Sequence, residues 1–311
     1  MEPFMFGGEQ TFGSLGDKEA GSYFVKSRHF PQQTALLGML KKELMTQAGL
    51  LTRKRRGEWV DKQKKQKAQE LVGSEKFNML SSSTQNFGAI SSLSPLFLMQ
   101  KQERFVKKVN IDAHPYAEGI LKDYNPKVDI YDNYVSLEST TQYKASDIFK
   151  TVEQTGNKKG GEENSLFKKT SFALKDGFVF AFYAEVDYEL QDSMVTLGAD
   201  RSSFMMSVKV DDAKLDYVDP KGYLTLLSDA YISIPLKGNC DFAITSELSH
   251  RNLVVKKTAL NNHKSEFKKS DTLYLYEKGS VFVAPSAALK ANLDHVNLQQ
   301  IGYNIYTEGN K

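Results

Sequence analysis

The chain has 311 residues, enough for two compact domains of about 100–200 residues each. Hydrophobic residues make up 40% of the sequence, charged residues 25% and aromatic residues 11%, which excludes a disordered chain. The formal net charge is only +3, so a surface that binds nucleic acid must be a local basic patch. A single cysteine, Cys240, excludes an intrachain disulfide framework and a paired-cysteine zinc site.

The first element with a clear pattern is a helix, which the sequence predicts over residues 34–48. Leucines recur there at helical spacing, Thr34 suits the N-cap position, and Gly49 ends the pattern. Just before the helix, Pro31 favours an extended backbone for Phe30. The segment therefore predicts an extended stretch, a short connection and an amphipathic helix.

A strongly basic segment follows this helix. Residues 53–70 contain eight Lys or Arg residues and three acids, which predicts an exposed basic turn and helix. Two interpretations of the stretch Arg53–Lys67 stay open. It tracks RNA through its charge, or it is a solvated lysine-rich insertion without such a role.

The periodicity changes from helical to alternating after residue 166. Alternating hydrophobic residues over 178–188 and 204–210 predict strands, and residues 273–283 predict a hairpin. The Gly- and Lys-rich loop 156–161 is the predicted boundary between two units. Together these patterns predict an α+β fold with antiparallel sheets.

The expected location of the protein is the cytoplasm. No stretch of 18 apolar residues occurs, so no membrane association is expected. The first ten residues have neither the basic nor the apolar region of a secretory signal. The single cysteine also fits a reducing compartment.

Motifs that carry catalytic chemistry are missing from the sequence. No P-loop, dinucleotide-binding, zinc-protease or nucleophile-elbow motif occurs. The one catalytic candidate is His29, which lies beside Lys26 and Arg28 and suits metal-independent acid–base cleavage of RNA. The alternative is that His29 packs at a strand end. Because no second base is in view, the sequence predicts a protein that is not an enzyme and needs no cofactor.

Several patches along the chain carry a family resemblance. Residues 4–9 form an aromatic–Gly–Gly opening, and residues 23–40 contain Phe-Pro-x-x-Thr followed by a Leu-Leu-Gly helix. Residues 178–201, 278–282 and 301–306 agree with the same group. With these motifs the chain resembles RAMP-superfamily CRISPR proteins, most of all the third-subunit group of the Cmr (type III-B) effector complex, which caps the 5′ end of the guide.

Two departures from the family pattern are visible. The chain begins with Met1–Pro3 where relatives have an opening β-strand. Asn304 replaces the second glycine of the terminal Gly-rich loop. Asparagine is a residue that visits left-handed backbone, so this loop is expected to survive.

The resemblance implies two ferredoxin-like (RRM-like) domains with insertions. They are residues 1–160, with a basic insertion near 53–110, and residues 161–311, with the terminal Gly-rich-type loop. It also implies a non-catalytic subunit of a type III CRISPR interference complex, which binds the 5′ tag of the CRISPR RNA and caps the backbone filament. The implied partners are this RNA, the large polymerase/cyclase subunit and an adjacent backbone RAMP subunit, with target RNA contacted indirectly.

A single-stranded tag needs cations or backbone amides for its phosphates and planar groups for its bases. The N–H groups at the start of the predicted helix would form an anion site. Near this helix and on the patches of family resemblance, we predict these RNA-binding residues: Lys26, Arg28, His29, Phe30, Gln32, Gln33, Thr34, Arg201, Lys278, Gly302, Tyr303 and Asn304. The alternative is that the rings belong to the core and the helix end is merely capped.

The tail 301–306 has two interpretations with opposite consequences. As a loop that faces RNA, it needs Gly302 for a conformation or close approach that a β-carbon would obstruct. Asn304 would then adopt left-handed backbone. As an ordinary strand, it places Ile301, Tyr303 and Ile305 on one face, and Gly302 tolerates a side chain.

Overall fold

A computed structural model of the chain gives the fold. The residues it describes are 2–7, 10–12, 23–51, 54–55, 58–59, 61–111, 116–117, 120–122, 125, 130–157, 166–198, 201–213, 215, 218, 222–251, 253–256, 266–269 and 271–308. Within these ranges, helices are too short or too polar to cross a membrane. The predicted boundary loop lies largely outside them, as does part of the basic stretch.

Helices form a small part of the described structure. They are α1 (Gln33–Gln47), α2 (Lys62–Val72), α3 (Ala145–Ile148), α4 (Ala287–Leu293) and α5 (Val296–Gln300). The predicted helix over 34–48 is confirmed by α1, to within one residue at each end. Its N-cap is Gln32 and not Thr34, because the Gln32 carbonyl accepts the first hydrogen bonds, from Ala35 and Leu36. Gly49 follows with a φ of +65°, as a helix stop requires.

Strands are short and numerous. In chain order they are β1 (Gln10–Phe12), β2 (Tyr23–Lys26), β3 (Lys54–Arg55), β4 (Glu58–Trp59), β5 (Ile90–Leu93), β6 (Phe97–Gln100), β7 (Glu103–Lys107), β8 (Tyr116–Ala117), β9 (Ile120–Leu121), β10 (Asn133–Ser136), β11 (Gln142–Lys144), β12 (Phe149–Asn157), β13 (Leu166–Leu174), β14 (Phe178–Ala181), β15 (Ala184–Val186), β16 (Ser193–Leu197), β17 (Ser202–Met206), β18 (Leu224–Leu226), β19 (Phe242–Ile244), β20 (Glu247–His250), β21 (Leu253–Lys256), β22 (Glu266–Lys269), β23 (Leu273–Tyr276), β24 (Val281–Val283) and β25 (Tyr306–Glu308).

The first sheet joins strands from both sides of the predicted boundary. Its order is β1-β2-β13-β12, with β2 and β13 parallel and the other pairs antiparallel. β12 and β13 pair continuously from Phe149↔Leu174 to Asn157↔Leu166. The link 158–165 therefore connects two hydrogen-bonded neighbours, and a domain boundary at residue 160 would cut this hairpin.

The second sheet shows the same mixing. Its order is β11-β10-β7-β6-β14, and all of its pairs are antiparallel. The strand β14 comes from beyond the predicted boundary, and β15 likewise pairs with β5. The α+β class with antiparallel sheets is confirmed.

The predicted hairpin over 273–283 is wrong in its pairing. Both strands form, but β23 pairs with β20, whereas β24 lies between β19 and β18 in the sheet β19-β24-β18-β25. In the turn between them, the Gly279 N–H donates to the Leu226 carbonyl, and the Gly279 carbonyl accepts from the Val109 N–H. These long-range bonds hold the turn against the body of the protein, so the two strands separate.

Two clusters of buried side chains involve α1 and the connection that precedes it. Leucines of α1 pack with Phe87 and Tyr303 in one cluster of buried residues. A second cluster is aromatic and includes Phe4, Phe6 and Tyr134. Phe30, in the connection 27–32 between β2 and α1, packs against the aromatic cluster.

Candidate nucleic-acid interface

The connection 27–32 is fixed by hydrogen bonds of its own backbone and of Ser27. The Ser27 hydroxyl accepts from the Phe6 N–H at 2.9 Å and donates to the Arg28 carbonyl at 2.8 Å. The Ser27 N–H donates to the Thr170 carbonyl at 2.8 Å, and the Arg28 N–H donates to the Phe6 carbonyl at 3.1 Å. The connection is thus bound to β13 and to the N-terminal segment, which sets the positions of its side chains.

The two predicted phosphate-binding cations of this region differ in their surroundings. Lys26, at the end of β2, is exposed. Arg28 is half-buried, and its Nη2 donates to the Ser249 carbonyl of β20 at 3.0 Å. Its Nη1 is buried and makes no hydrogen bond within the described part of the chain. Lys26 is therefore accessible to a phosphate, whereas Arg28 also links two parts of the fold.

His29 lies against aromatic rings and not in an open cleft. Its ring stacks on Phe149, with centroids 4.2 Å apart and planes within 6° of parallel, and lies 4.4 Å from the Phe172 ring. Burial, and then the charges of Lys107 and Lys26, lower the pKa of His29 to about 4. The imidazole is consequently neutral near pH 7, packed as the alternative interpretation of the sequence predicts.

Phe30 and Lys278 contact each other directly. The Lys278 Nζ lies 4.0 Å from the centroid of the Phe30 ring and donates to the Leu96 carbonyl at 3.1 Å. Lys278 is only 8% exposed, and Phe30 is half-buried in contact with Phe180 and Tyr134. Contrary to the prediction, the ammonium of Lys278 is used inside the protein.

Lys278 belongs to a network of charges in the interior. Its N–H donates to the Asp229 carboxylate at 3.0 Å, and the neighbouring Glu277 accepts from the Lys107 Nζ at 2.7 Å. Asp132 lies 3.7 Å from the same Nζ. We call Lys107, Asp229, Glu277 and Lys278 the interior charge network; the side chain of Asp132, at its edge, is 41% exposed.

Burial and mutual attraction act in opposite directions on the pKa values of this network. Burial lowers the pKa of Lys278 to about 8, although Asp229 and Glu277 raise it. Burial also raises the pKa of Asp229, against the influence of Lys278. For Glu277 burial acts upward, but the charge and hydrogen bond of Lys107 hold its pKa below the usual value. Pairing thus outweighs the loss of solvation at Glu277 and only partly offsets it at Lys278 and Asp229.

The N-terminus of α1 faces the protein interior. Gln33 is 4% exposed, and its Nε2 donates to the carbonyls of Ser94 and Ile301, each at 2.9 Å. Burial raises the pKa of the Tyr303 hydroxyl, and Thr34 and Gln33 act against this rise from the first turn of the helix. Tyr303 therefore lies near the helix start, where the sequence places a phosphate. Gln32 and Thr34 are half-buried.

The tail 301–306 is a loop, as the first of its two interpretations predicts. Gly302 has a φ of +82° and Asn304 a φ of +55°. A β-carbon on Gly302 would overlap the Gln33 Nε2 and lie 2.7 Å from the carbonyl carbon and oxygen of Ser94. The close approach that requires glycine is thus to protein atoms.

The other residues of this loop are in the core. Tyr303 and Asn304 are both 0% exposed. The Asn304 side chain accepts a hydrogen bond from the Tyr231 N–H at 2.8 Å and donates to the Tyr231 carbonyl at 3.1 Å. In this structure these side chains offer no surface to RNA, contrary to the prediction, and they position the loop instead.

Arg201 stands apart on a different element. It is exposed in the turn between β16 and β17 with a φ of +54°, and its N–H donates to the Gly198 carbonyl at 3.2 Å. The candidate residues that the structure assembles are therefore Lys26 to Thr34, Lys278 and the tail loop. Among the predicted cations, Lys26 and Arg201 are the exposed ones.

Sequence reasoning missed three members of the interior charge network and one histidine. Lys107, Asp229 and Glu277 come from distant parts of the chain, and their pairing has no local signal except that Lys107 and Lys108 interrupt an apolar run. His250 is 1% exposed, and both of its ring nitrogens have no hydrogen-bond partner among the described residues. Burial, and then Arg28, lower the pKa of His250 to about 4.

Comparison with known proteins places this geometry in context. The sequence matches no protein-family model and no curated protein. The structure is similar to a chain of the type III-B Cmr-β complex bound to cognate target RNA, with a TM-score of 0.51 and 14% identity over 98% of this chain and 94% of that chain. It is also similar to a chain of the same complex bound to cognate target RNA and AMPPnP, with a TM-score of 0.50 and 15% identity over 98% and 93%.

At these identities the likeness shows the fold alone. It extends over 98% of the chain, so it covers both halves of the molecule. A fold shared with type III CRISPR complex chains agrees with the resemblance predicted from the N-terminal motifs.

Proposed function

We propose that the protein is a non-catalytic subunit of a type III CRISPR interference complex. In this role it binds the 5′ tag of the CRISPR RNA and caps the filament of backbone subunits next to the large polymerase/cyclase subunit. Its partners are this RNA, that large subunit and an adjacent backbone subunit, with target RNA contacted indirectly. The proposal includes a pair of ferredoxin-like domains, predicted over residues 1–160 and 161–311, with the β12–β13 hairpin spanning the boundary between them.

The observation that carries the proposal is the likeness of fold to Cmr-β chains over 98% of this chain. The geometry around residue 26 is compatible with it. Lys26 presents its charge to solvent at the end of β2, and the half-buried Arg28 lies two residues later. Single-stranded RNA is bound through such cations at its phosphates. Lys278, Tyr303 and Asn304 act in this proposal by holding the loops in place.

The structure also bears on the alternative of an RNA-cleaving enzyme. With a pKa of about 4, His29 is a weak base and is not protonated near pH 7, so it is poorly suited to be a general acid. Its ring is stacked on Phe149. These features favour the non-catalytic role, which we retain as the proposal.

A binding experiment with purified protein and labelled repeat RNA in EDTA tests the proposal. A shift that requires the tag, without cleavage, supports it. Cleavage that disappears in His29→Ala would contradict the proposal and support an RNA-cleaving enzyme. The absence of any shift would refute RNA binding by the isolated chain.

Lys26→Ala sharpens the test. Lys26 is exposed, so this variant is expected to fold normally, whereas Arg28→Ala would also remove the bond to Ser249. Loss of one phosphate contact should flatten the log–log salt dependence of tag binding by about 0.7. Lys209→Ala, at another exposed lysine, is the control and should leave the slope unchanged. Equal slopes for wild type and Lys26→Ala would remove Lys26 from the site.

A further inference from the structure

Helix α2 presents an unusual set of charges. Four of its first six residues are lysines, and all four are exposed: Lys62, Lys64, Lys65 and Lys67. The buried residues of α2 are Ala68 and Val72, both in its second half. The helix is thus attached to the protein by its C-terminal half, and its N-terminal half carries the lysines into solvent.

These lysines are not paired with acids in the described part of the chain. Lys62, Lys65 and Lys67 contact no carboxylate there, and Lys64 donates to the Gly49 carbonyl at 3.1 Å. The acid of the helix, Glu70, accepts from Gln66 instead. Elsewhere on the surface lysines do pair, as in Lys168–Glu153 at 2.8 Å and Lys290–Glu308 at 2.7 Å.

The arrangement opposes the electrostatics of the helix itself. The N-terminus of a helix carries partial positive charge, which repels lysines in the first turns. Lys62 with Lys65, and Lys64 with Lys67, are also like-charged neighbours at i,i+3. Asp61 partly offsets this, since it caps the helix by accepting from the Lys64 N–H at 3.0 Å. A local arrangement that disfavours its own fold is expected where a function requires it.

The lysines lie far from Lys26. The Lys64 contact with Gly49 places them just beyond the C-terminal end of α1, whereas Lys26 precedes the N-terminal end. The 15 residues of α1 separate these ends by about 22 Å. The two basic areas can therefore contact different nucleotides of one RNA.

We propose that Lys62, Lys64, Lys65 and Lys67 form a second RNA-binding surface, which contacts phosphates of single-stranded RNA without reading sequence. The inference rests on the proposed function, which makes RNA the available polyanion. Phosphates are bound by charge and accept lysine readily. An acidic protein is a poorer fit, since protein interfaces are depleted in lysine and need aromatic or apolar anchors, and the exposed residues of α2 are Lys, Gln and Glu.

The test uses the full chain with Lys62, Lys65 and Lys67 all changed to Gln. Glutamine keeps a high helix propensity, and the change removes the repulsion within α2, so the melting temperature should stay the same or rise. Binding to an oligouridine of about thirty nucleotides should weaken, and its log–log salt slope should flatten by about 2, from about 0.7 per lost contact. Higher stability with weaker binding is a combination that a purely structural role of these lysines would not produce.

The control removes three other exposed lysines, Lys150, Lys209 and Lys237, by the same substitution to Gln. It should bind oligouridine as the wild type does. If the α2 variant keeps the wild-type affinity and slope, or if the control loses as much, the second surface is refuted while tag binding at Lys26 stands. If the wild type binds neither tag RNA nor oligouridine, the proposed function fails and this inference fails with it.

Discussion

The lysines of two regions of the molecule differ in exposure and in their acidic partners. In the interior charge network, Lys107 is 7% and Lys278 is 8% exposed, and each has a carboxylate nearby. On α2, four lysines are exposed and none of their ammonium groups contacts a carboxylate among the described residues. The lysine ammonium groups are thus buried beside carboxylates in the first region, and in the second they are exposed without a carboxylate partner among the described residues.

The difference follows from solvation. A buried ammonium loses its water and is tolerated only with compensating charges and hydrogen bonds. An exposed ammonium keeps its water, so it needs no partner and stays available for one from outside. Exposure and pairing together therefore separate cations that hold the fold from cations that can bind a polyanion, which the sequence alone does not do.

The largest effect should come from breaking the interior charge network. Lys278→Met removes the ammonium near Asp229 and Glu277 and leaves the Leu96 carbonyl without its donor. Removing one partner of a buried charge pair typically costs about 3–5 kcal/mol of unfolding free energy. The matched change Lys67→Met on α2 should cost less than about 0.5 kcal/mol, as surface substitutions usually do.

Urea unfolding of the two methionine variants measures both values. A similar cost for both would show that burial does not distinguish these lysines. A small cost for Lys278→Met alone would mean that the network is replaceable by apolar packing.

The second effect concerns the loop that closes over the start of α1. Gly302→Ala adds a β-carbon at a φ of +82°, against the Gln33 side chain and the Ser94 backbone. Backbone strain and overpacking together should cost about 2–4 kcal/mol. Gly38→Ala, on α1 with open space around it, is the control and should stabilise the helix slightly. Thermal unfolding compares them, and an undamaged Gly302→Ala would show that Gln33 and Ser94 move aside easily.

Local patterns allowed much of this fold to be predicted, whereas distant contacts escaped prediction. The periodicity of the leucines and the stop at Gly49 were enough for α1, whereas the glycine and asparagine of the tail left both a loop and a strand open. The pairing of β23 with β20 was missed, because alternation shows that a strand exists but not which strand it meets. Lys107 and Glu277 are 170 positions apart, so no spacing rule connects them.

The candidate site was affected in the same way. The sequence placed cations and a ring beside the start of α1, because these residues are neighbours in the chain. The sequence could not show that Tyr303 and Gln33 are buried near the N-terminus of α1, because burial depends on which distant segments pack there. Lys26 remains from that prediction as an exposed cation, with the exposed Arg201 on another turn, whereas the Nη1 of Arg28 is buried.

The smallest effect at pH 7 should come from the buried histidines, and the pH dependence of stability sharpens the comparison by adding buried groups in which burial outweighs any compensating charge. The pKa values of His29 and His250 are both lowered to about 4 by burial. Below about pH 6.5 these histidines become protonated in the unfolded chain but stay neutral in the folded protein. The stability of the folded state is therefore complete above that pH and falls toward pH 4. Each histidine contributes up to about 1.4 kcal/mol per pH unit within this window.

His250→Phe isolates one of these two contributions. Phenylalanine keeps a ring beside Tyr303, which lies edge-on at 6.2 Å, and it removes two ring nitrogens that have no partner among the described residues. The variant should be at least as stable as the wild type at pH 7 and should lose less stability between pH 6.5 and 4. Because burial is the first cause of the lowered pKa and the charge of Arg28 the second, added salt should change this difference little. If the variant and the wild type lose stability equally with acid, His250 is not the buried neutral group described here. If salt abolishes the difference, the charge of Arg28 and not burial holds the pKa of His250 down.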